Sequence, residues 1–111
     1  MSERFLKWAV KRHYKALGYK VSIRRIRLGN AEVDGEAIGP NGERIAIEIK
    51  TPRDDLARGI GQLAEAISFN YDKAVLVTTL KNTKTIDDSV FKRFGFGLIG
   101  VDSRGNIHLV R

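Results

Sequence analysis

Between Arg44 and Thr51 the chain alternates, with Ile45, Ile47 and Ile49 on one side and Glu48 and Lys50 on the other. Side chains at i and i+2 of a strand share a face. A carboxylate and an amine are thereby held together on the opposite face. Upstream, Gly39-Pro40-Asn41-Gly42 is a chain reversal. Before it, Ala31 to Ile38 reads as a second strand carrying Glu32, Asp34 and Glu36. An antiparallel hairpin closed at the reversal brings Asp34 beside Glu48 and Lys50.

The other elements arrange themselves around this hairpin. Residues 3–17 predict a helix with Ser2 as N-cap, Gly18 after its end, and Phe5, Ala9, Val10, His13 and Leu17 as its apolar stripe. Trp8 and Tyr14 read as packing groups rather than base-stacking platforms. Tyr19 to Leu28 alternates as a first strand, with a slip at Arg24-Arg25-Ile26-Arg27 that reads as a bulge. Gly29-Asn30 is a hairpin dipeptide, and Pro52 ends the strand that holds Glu48.

Asp54 or Asp55 opens a second helix whose stripe is Leu56, Ile60, Leu63, Ile67 and Tyr71. Gly59 and Gly61 lie inside it, each costing about 1 kcal/mol against alanine. Such a pair implies close packing or close approach by a ligand. Ala74 to Thr78 is a continuous apolar run, suited to a parallel strand buried on both faces. A third helix is expected with Thr83 or Thr85 as cap, Ile86, Val90, Phe91 and Phe94 as stripe, and Gly95 as its stop. Leu98–Val101 and Ile107–Val110 read as the last strands. The order α-β-β-β-α-β-α-β-β predicts a single α/β domain over residues 1–111, a mixed sheet flanked by helices.

Charge narrows the function. The net charge is +7, and it is not spread evenly. Residues 1–28 hold nine Lys/Arg against one acid, so this segment carries +8 and the remainder −1. A localised basic excess is the footprint of a polyanion-binding surface. Lys7, Lys11 and Lys15 form a row at helical spacing, and like charges so placed weaken a helix. Arg12, Arg24, Arg25 and Arg27 complete the expected nucleic-acid contacts. The chain has no cysteine, which excludes disulfides and thiolate metal sites. No apolar run is long enough for a bilayer and no signal segment is visible, so a cytoplasmic protein without a membrane partner is expected.

Asp34 followed by Glu48-Ile49-Lys50 resembles the signature of the PD-(D/E)XK nuclease superfamily. The likeness extends to the αβββαβ order of that restriction endonuclease-like core. The small size, Glu3 on the first helix and the hairpin are similar to archaeal Holliday junction resolvases, and Gly61-Gln62-Leu63 resembles a segment of repair nucleases in the superfamily. The chain has Glu32-Val33-Asp34 where the family name has Pro-Asp. The resemblance implies Asp34 and Glu48 as ligands of Mg²⁺, with Mn²⁺ as substitute, and the Ile49 carbonyl as a third. It implies Lys50, Gln62 and Glu3 as further catalytic groups.

The residue types suit that chemistry. Phosphodiester hydrolysis needs charge neutralised on the phosphate and a water activated beside it, and a divalent cation on one or two carboxylates does both. Lys50 would stabilise the developing charge or orient the water. Glu32 is an alternative or assistant to Asp34, and Glu36 shares its face. The expected activity is a Mg²⁺-dependent DNA endonuclease for recombination or repair, acting as a homodimer through the third helix or the last hairpin. The alternative is a catalytically inactive nuclease fold that only binds nucleic acid. A third reading, an interaction module with an incidental basic face, predicts no DNA binding at low salt.

Overall fold

The computed structural model describes residues 2–111. Helix α1 (Glu3–Ala16) starts at Ser2, whose side chain accepts from the Phe5 amide, and ends before Gly18, which has φ +87°. Strands β1 (Lys20–Ser22), β2 (Ile26–Leu28), β3 (Ala31–Val33), β4 (Gly35–Ile38) and β5 (Arg44–Ile49) follow. Helix α2 (Leu56–Ile67) leads to β6 (Lys73–Thr79). The short helices α3 (Leu80–Thr83) and α4 (Ser89–Phe94) precede β7 (Gly97–Val101) and β8 (Ile107–Leu109).

Six strands form the main sheet in the order β1-β4-β5-β6-β7-β8, and β2-β3 make a separate two-stranded sheet. β5, β6 and β7 are parallel neighbours, while β1-β4, β4-β5 and β7-β8 are antiparallel. The sheet is mixed, as expected, and helices cover it on both sides. Alternate residues of its central strands face different layers. Ile45, Ile47, Ile49, Val75, Val77, Ile99 and Val101 pack with Leu6, Ala9, Val10 and Tyr14 of α1. Ala46, Ala74, Leu76 and Leu98 pack with Leu63 and Ala66 of α2, Phe91 of α4, and Leu28 and Val33 of the β2-β3 hairpin. Burial on both faces explains why β6 is an unbroken apolar run.

Four expectations require correction. The first two strands are each split. The slip at Arg24–Arg27 is a full break between β1 and β2, and Asp34 interrupts the strand drawn from Ala31 to Ile38. A Cβ on Gly35 would lie 2.7 Å from the Ser22 carbonyl oxygen, so only glycine lets β4 approach β1 there. The chain turns at Asp34, and β3 leaves the main sheet to pair with β2 across the Gly29-Asn30 turn. On α1 the buried stripe is Leu6, Ala9, Val10 and Tyr14, whereas Leu17 is exposed. Trp8, read as a packing group, is half exposed and packs against Phe5 with ring centroids 5.5 Å apart. The third helix is two helices. Thr79, not Thr83 or Thr85, caps the first by accepting from the Asn82 amide. Finally, Ile67 at the end of the α2 stripe is exposed and Tyr71 lies beyond the helix.

Candidate active site

Asp34 occupies the break between β3 and β4, opposite the C-terminal end of β5. Its amide donates to the Ile47 carbonyl at 3.0 Å, and its Oδ2 accepts from the Ile49 amide at 2.8 Å. Both bonds pin the carboxylate against β5. Glu48 projects from β5 toward α2, on the face of Ala46 rather than that of the isoleucines. That face is covered by α2, so Glu48 is only 2% exposed and does not stand on the half-solvated surface that its alternation implied.

One Glu48 oxygen, Oε2, lies 3.3 Å from Lys50 Nζ. The other, Oε1, is buried with no hydrogen-bond donor among the described residues. Burial, then the Asp34 charge and a hydrogen bond shared with that carboxyl, push Glu48 up to about 8, against the opposing pull of Lys50. Lys50 runs beneath α2 in a slot made by Gly59, where a Cβ would lie 2.7 Å from the lysine Cε. That glycine has a packing reason. Gly61 has none, since a Cβ there would meet nothing within 4 Å.

A cleft of about 240 Å³ gathers these groups. It is lined by Glu3, Arg25, Glu32, Asp34, Glu48, Ile49, Lys50, Asp54, Arg58 and Gln62. The expected catalytic and ligand residues Asp34, Glu48, Ile49, Lys50, Gln62 and Glu3 are thus brought to one place. Glu3 is tied to Lys7 at 3.3 Å on an exposed face. The Gln62 Oε1 is, like Glu48 Oε1, buried without a donor. Glu36 lies elsewhere, accepting from the Tyr71 hydroxyl at 2.6 Å.

The basic residues divide. Arg25 reaches the cleft, and Arg27 lines a second cavity of about 530 Å³ that shares Glu32, Arg58 and Gln62 with it. Arg24 is exposed in the bend between β1 and β2. Lys11, Arg12 and Lys15 stand instead around the exposed ring of Trp8, with the Arg12 guanidinium 4.4 Å from the ring centroid and donating to the Gly105 carbonyl at 2.8 Å. Arg58 and Asp54 were missed by the sequence reading. Arg58 was within reach of it, because Arg58 and Gln62 are four residues apart on one helix and so share a face.

The donor set suits a hard cation that keeps most of its waters. No group of three His, Cys, Asp or Glu side chains is placed to hold a metal among the described residues. Two neighbouring carboxyl groups, one with a buried oxygen that no group of the described residues satisfies, form a set that Mg²⁺ commonly uses. Ca²⁺ more often recruits six to eight oxygens, and Zn²⁺ needs nitrogen or sulfur.

No protein-family model and no curated protein matches the sequence. Solved structures do match the fold. A protein of unknown function from Silicibacter pomeroyi superposes with a TM-score of 0.71 at 20% identity, covering 100% of this chain and 70% of that one. An XisH family protein from Nostoc punctiforme gives 0.66 at 17% identity over 94% of this chain and 96% of that one. Pyrococcus furiosus SfsA, solved with Ca²⁺, gives 0.54 at 18% identity over 96% of this chain and 59% of that one. The shared feature is the architecture: a mixed α/β fold of the restriction endonuclease-like type, its central sheet flanked by helices.

Proposed function

We propose that the protein is a metal-dependent DNA endonuclease that hydrolyses phosphodiester bonds. The observation that carries this reading is the buried Glu48 Oε1, an acceptor with no donor, held beside Asp34 in a cleft that also contains Lys50. A buried carboxylate oxygen left unsatisfied costs stability and is retained where something outside the chain satisfies it. Asp34 and Glu48 would hold the cation, Mg²⁺ or Mn²⁺, with the Ile49 carbonyl as the third ligand that the family resemblance implies. Such an ion supplies charge neutralisation at the phosphate and a more acidic water.

The chain's own groups do the rest. The Ile49 amide fixes the Asp34 carboxylate, so that ligand cannot rotate away. Lys50, held by the Gly59 slot, faces the carboxylate pair and stabilises charge developing on the phosphate. Gln62 offers an acceptor that orients the attacking water. Arg25, from the bend between β1 and β2, and Arg58, from α2, both line the cleft and would bind the phosphate oxygens. The basic surface of α1 and the β2-β3 hairpin would draw DNA toward the site.

The test is cleavage of supercoiled, linear, single-stranded and four-way-junction DNA with Mg²⁺, Mn²⁺ or Ca²⁺, against EDTA. Cleavage is expected with Mg²⁺ and Mn²⁺, lost in EDTA and in Asp34→Ala and Glu48→Gln, with DNA binding retained by both variants. Salt-sensitive binding without cleavage of any substrate would leave the inactive, binding-only reading. The junction substrate also reads the expected homodimer, since paired incisions need two sites.

A further inference from the structure

The second cavity adjoins the carboxylate site and contains neither Asp34 nor Glu48. It lies between the β2-β3 hairpin and α2, has about 530 Å³, and opens from the catalytic cleft past Glu32, Arg58 and Gln62. That volume falls within the roughly 300–1,000 Å³ of small-ligand clefts. Its walls are polar: Arg27, Asn30 and Glu32 from the hairpin, Arg58, Gln62 and Glu65 from α2.

Two observations point to an occupant. The first is Gly61, which lines this cavity. A glycine inside a helix weakens it, and the fold does not need this one, because a Cβ would meet nothing within 4 Å. The neighbouring Gly59 shows what a fold-required glycine looks like here. The second is the charge pattern. Arg27 and Glu32 are cross-strand partners, yet neither forms an ion pair among the described residues. Both cation and anion are left facing the cavity.

We infer that this cavity receives an unpaired base adjoining the scissile phosphate, one that carries an exocyclic amino group. The inference rests on the endonuclease reading for the position of that phosphate. A base in a continuous duplex must be unstacked and unpaired before it can enter a pocket, so the favoured substrate is DNA whose nucleotide at the cut is already extrahelical or single-stranded. Glu32 and Glu65 disfavour a second phosphate there and accept from an amino group, as carboxylates do from cytosine N4. The Asn30 and Gln62 amides read the remaining edge, and Gly61 leaves room for the ring. Arg27 and Arg58 bind the phosphate on either side. Thymine lacks the amino group and is the poorest occupant.

The experiment measures binding in EDTA, so no cleavage is needed. Fluorescence anisotropy compares a 20-base-pair duplex with the same duplex carrying one extrahelical adenine or thymine. The protein is expected to bind the adenine bulge about tenfold tighter than the paired duplex, on the scale of one hydrogen bond to a charged group, with the thymine bulge between them. Gly61→Leu fills the cavity and is expected to abolish the preference while leaving paired-duplex affinity unchanged. Gly61→Ala is expected to raise Tm by several degrees, as a freed helix residue should, and to lower the preference. Asn30→Ala should lower it without touching α2. Equal binding of all three duplexes, or a preference that survives in Gly61→Leu, overturns the assignment. Preference in EDTA without cleavage in Mg²⁺ overturns the hydrolytic reading alone.

Discussion

At the scale of single residues the chain gives up stability at Glu48. Its carboxyl is shifted upward from about 4.5 to about 8, first by burial and then by Asp34. A group whose folded pKa is raised adds stability that is complete below its unfolded pKa and is lost as pH climbs through the folded one. In EDTA, stability should therefore decline between roughly pH 4.5 and 8 as this group is forced to ionise. Glu48→Gln cannot ionise, and its amide can donate to Asp34. Chemical denaturation of the metal-free variant is expected to show a flatter pH profile and, at pH 8, a gain of a few kcal/mol over wild type. Saturating Mg²⁺ should raise the Tm of wild type and not of the variant. An unchanged slope between pH 5 and 8 would mean that Glu48 is not held as a buried acid.

Among the elements, α2 does most to build the site, and its two glycines separate packing from function. Gly59→Ala would push a methyl against the Lys50 side chain at 2.7 Å from Cε, an atom near the flexible end of that chain. The lysine gives way, and the weakened Lys50–Glu48 pair offsets the gain of about 1 kcal/mol that alanine brings to the helix, so Tm should change little. The Lys50 ammonium moves off Glu48, and the cleavage rate is expected to fall about tenfold or more while DNA affinity holds. A variant with full activity would show that Lys50 needs no slot. This helix also marks where the sequence was legible. The alternation of Ile45, Ile47 and Ile49 announced β5, and the spacing of Asp34, Glu48 and Lys50 announced their meeting in one cleft. That Ala46 and Glu48 face a second buried layer was not readable, because alanine beside glutamate looks like a solvated face until α2 covers it. The split at Asp34 was hidden for a similar reason. It depends on Gly35 meeting the Ser22 backbone, a contact between strands that no period of 2 encodes. On α1, Phe5 and Leu17 fit a helical period as well as Leu6 does, and only packing on the sheet decides which of them is buried.

For the molecule as a whole, the fold redistributes a charge that the sequence concentrates at one end. The basic first quarter of the chain becomes α1 on one side of the sheet and the β2-β3 hairpin on the other, with the carboxylate cleft between Glu3 and Arg25. Lys11 and Lys15 are exposed on α1 and form no ion pair among the described residues, whereas Lys7 is held by Glu3. Two free cations four residues apart repel, so replacing both with alanine should stabilise the helix by a few tenths of a kcal/mol. Their retention is explained if each meets a phosphate. Every phosphate contact releases counterions and adds about 0.9 to the slope of log affinity against log salt. The Lys11→Ala/Lys15→Ala double variant should therefore lower that slope by about 2, with Tm unchanged or slightly raised and with the cleavage rate at saturating DNA intact. Arg25→Ala should lower the slope by about 1 and also reduce that rate, because Arg25 lines the cleft. A double lysine variant with the wild-type slope would confine DNA to the hairpin side. The row on α1 would then be no more than a solvated face, and the duplex would have to approach the carboxylates across α2 and β2-β3 alone.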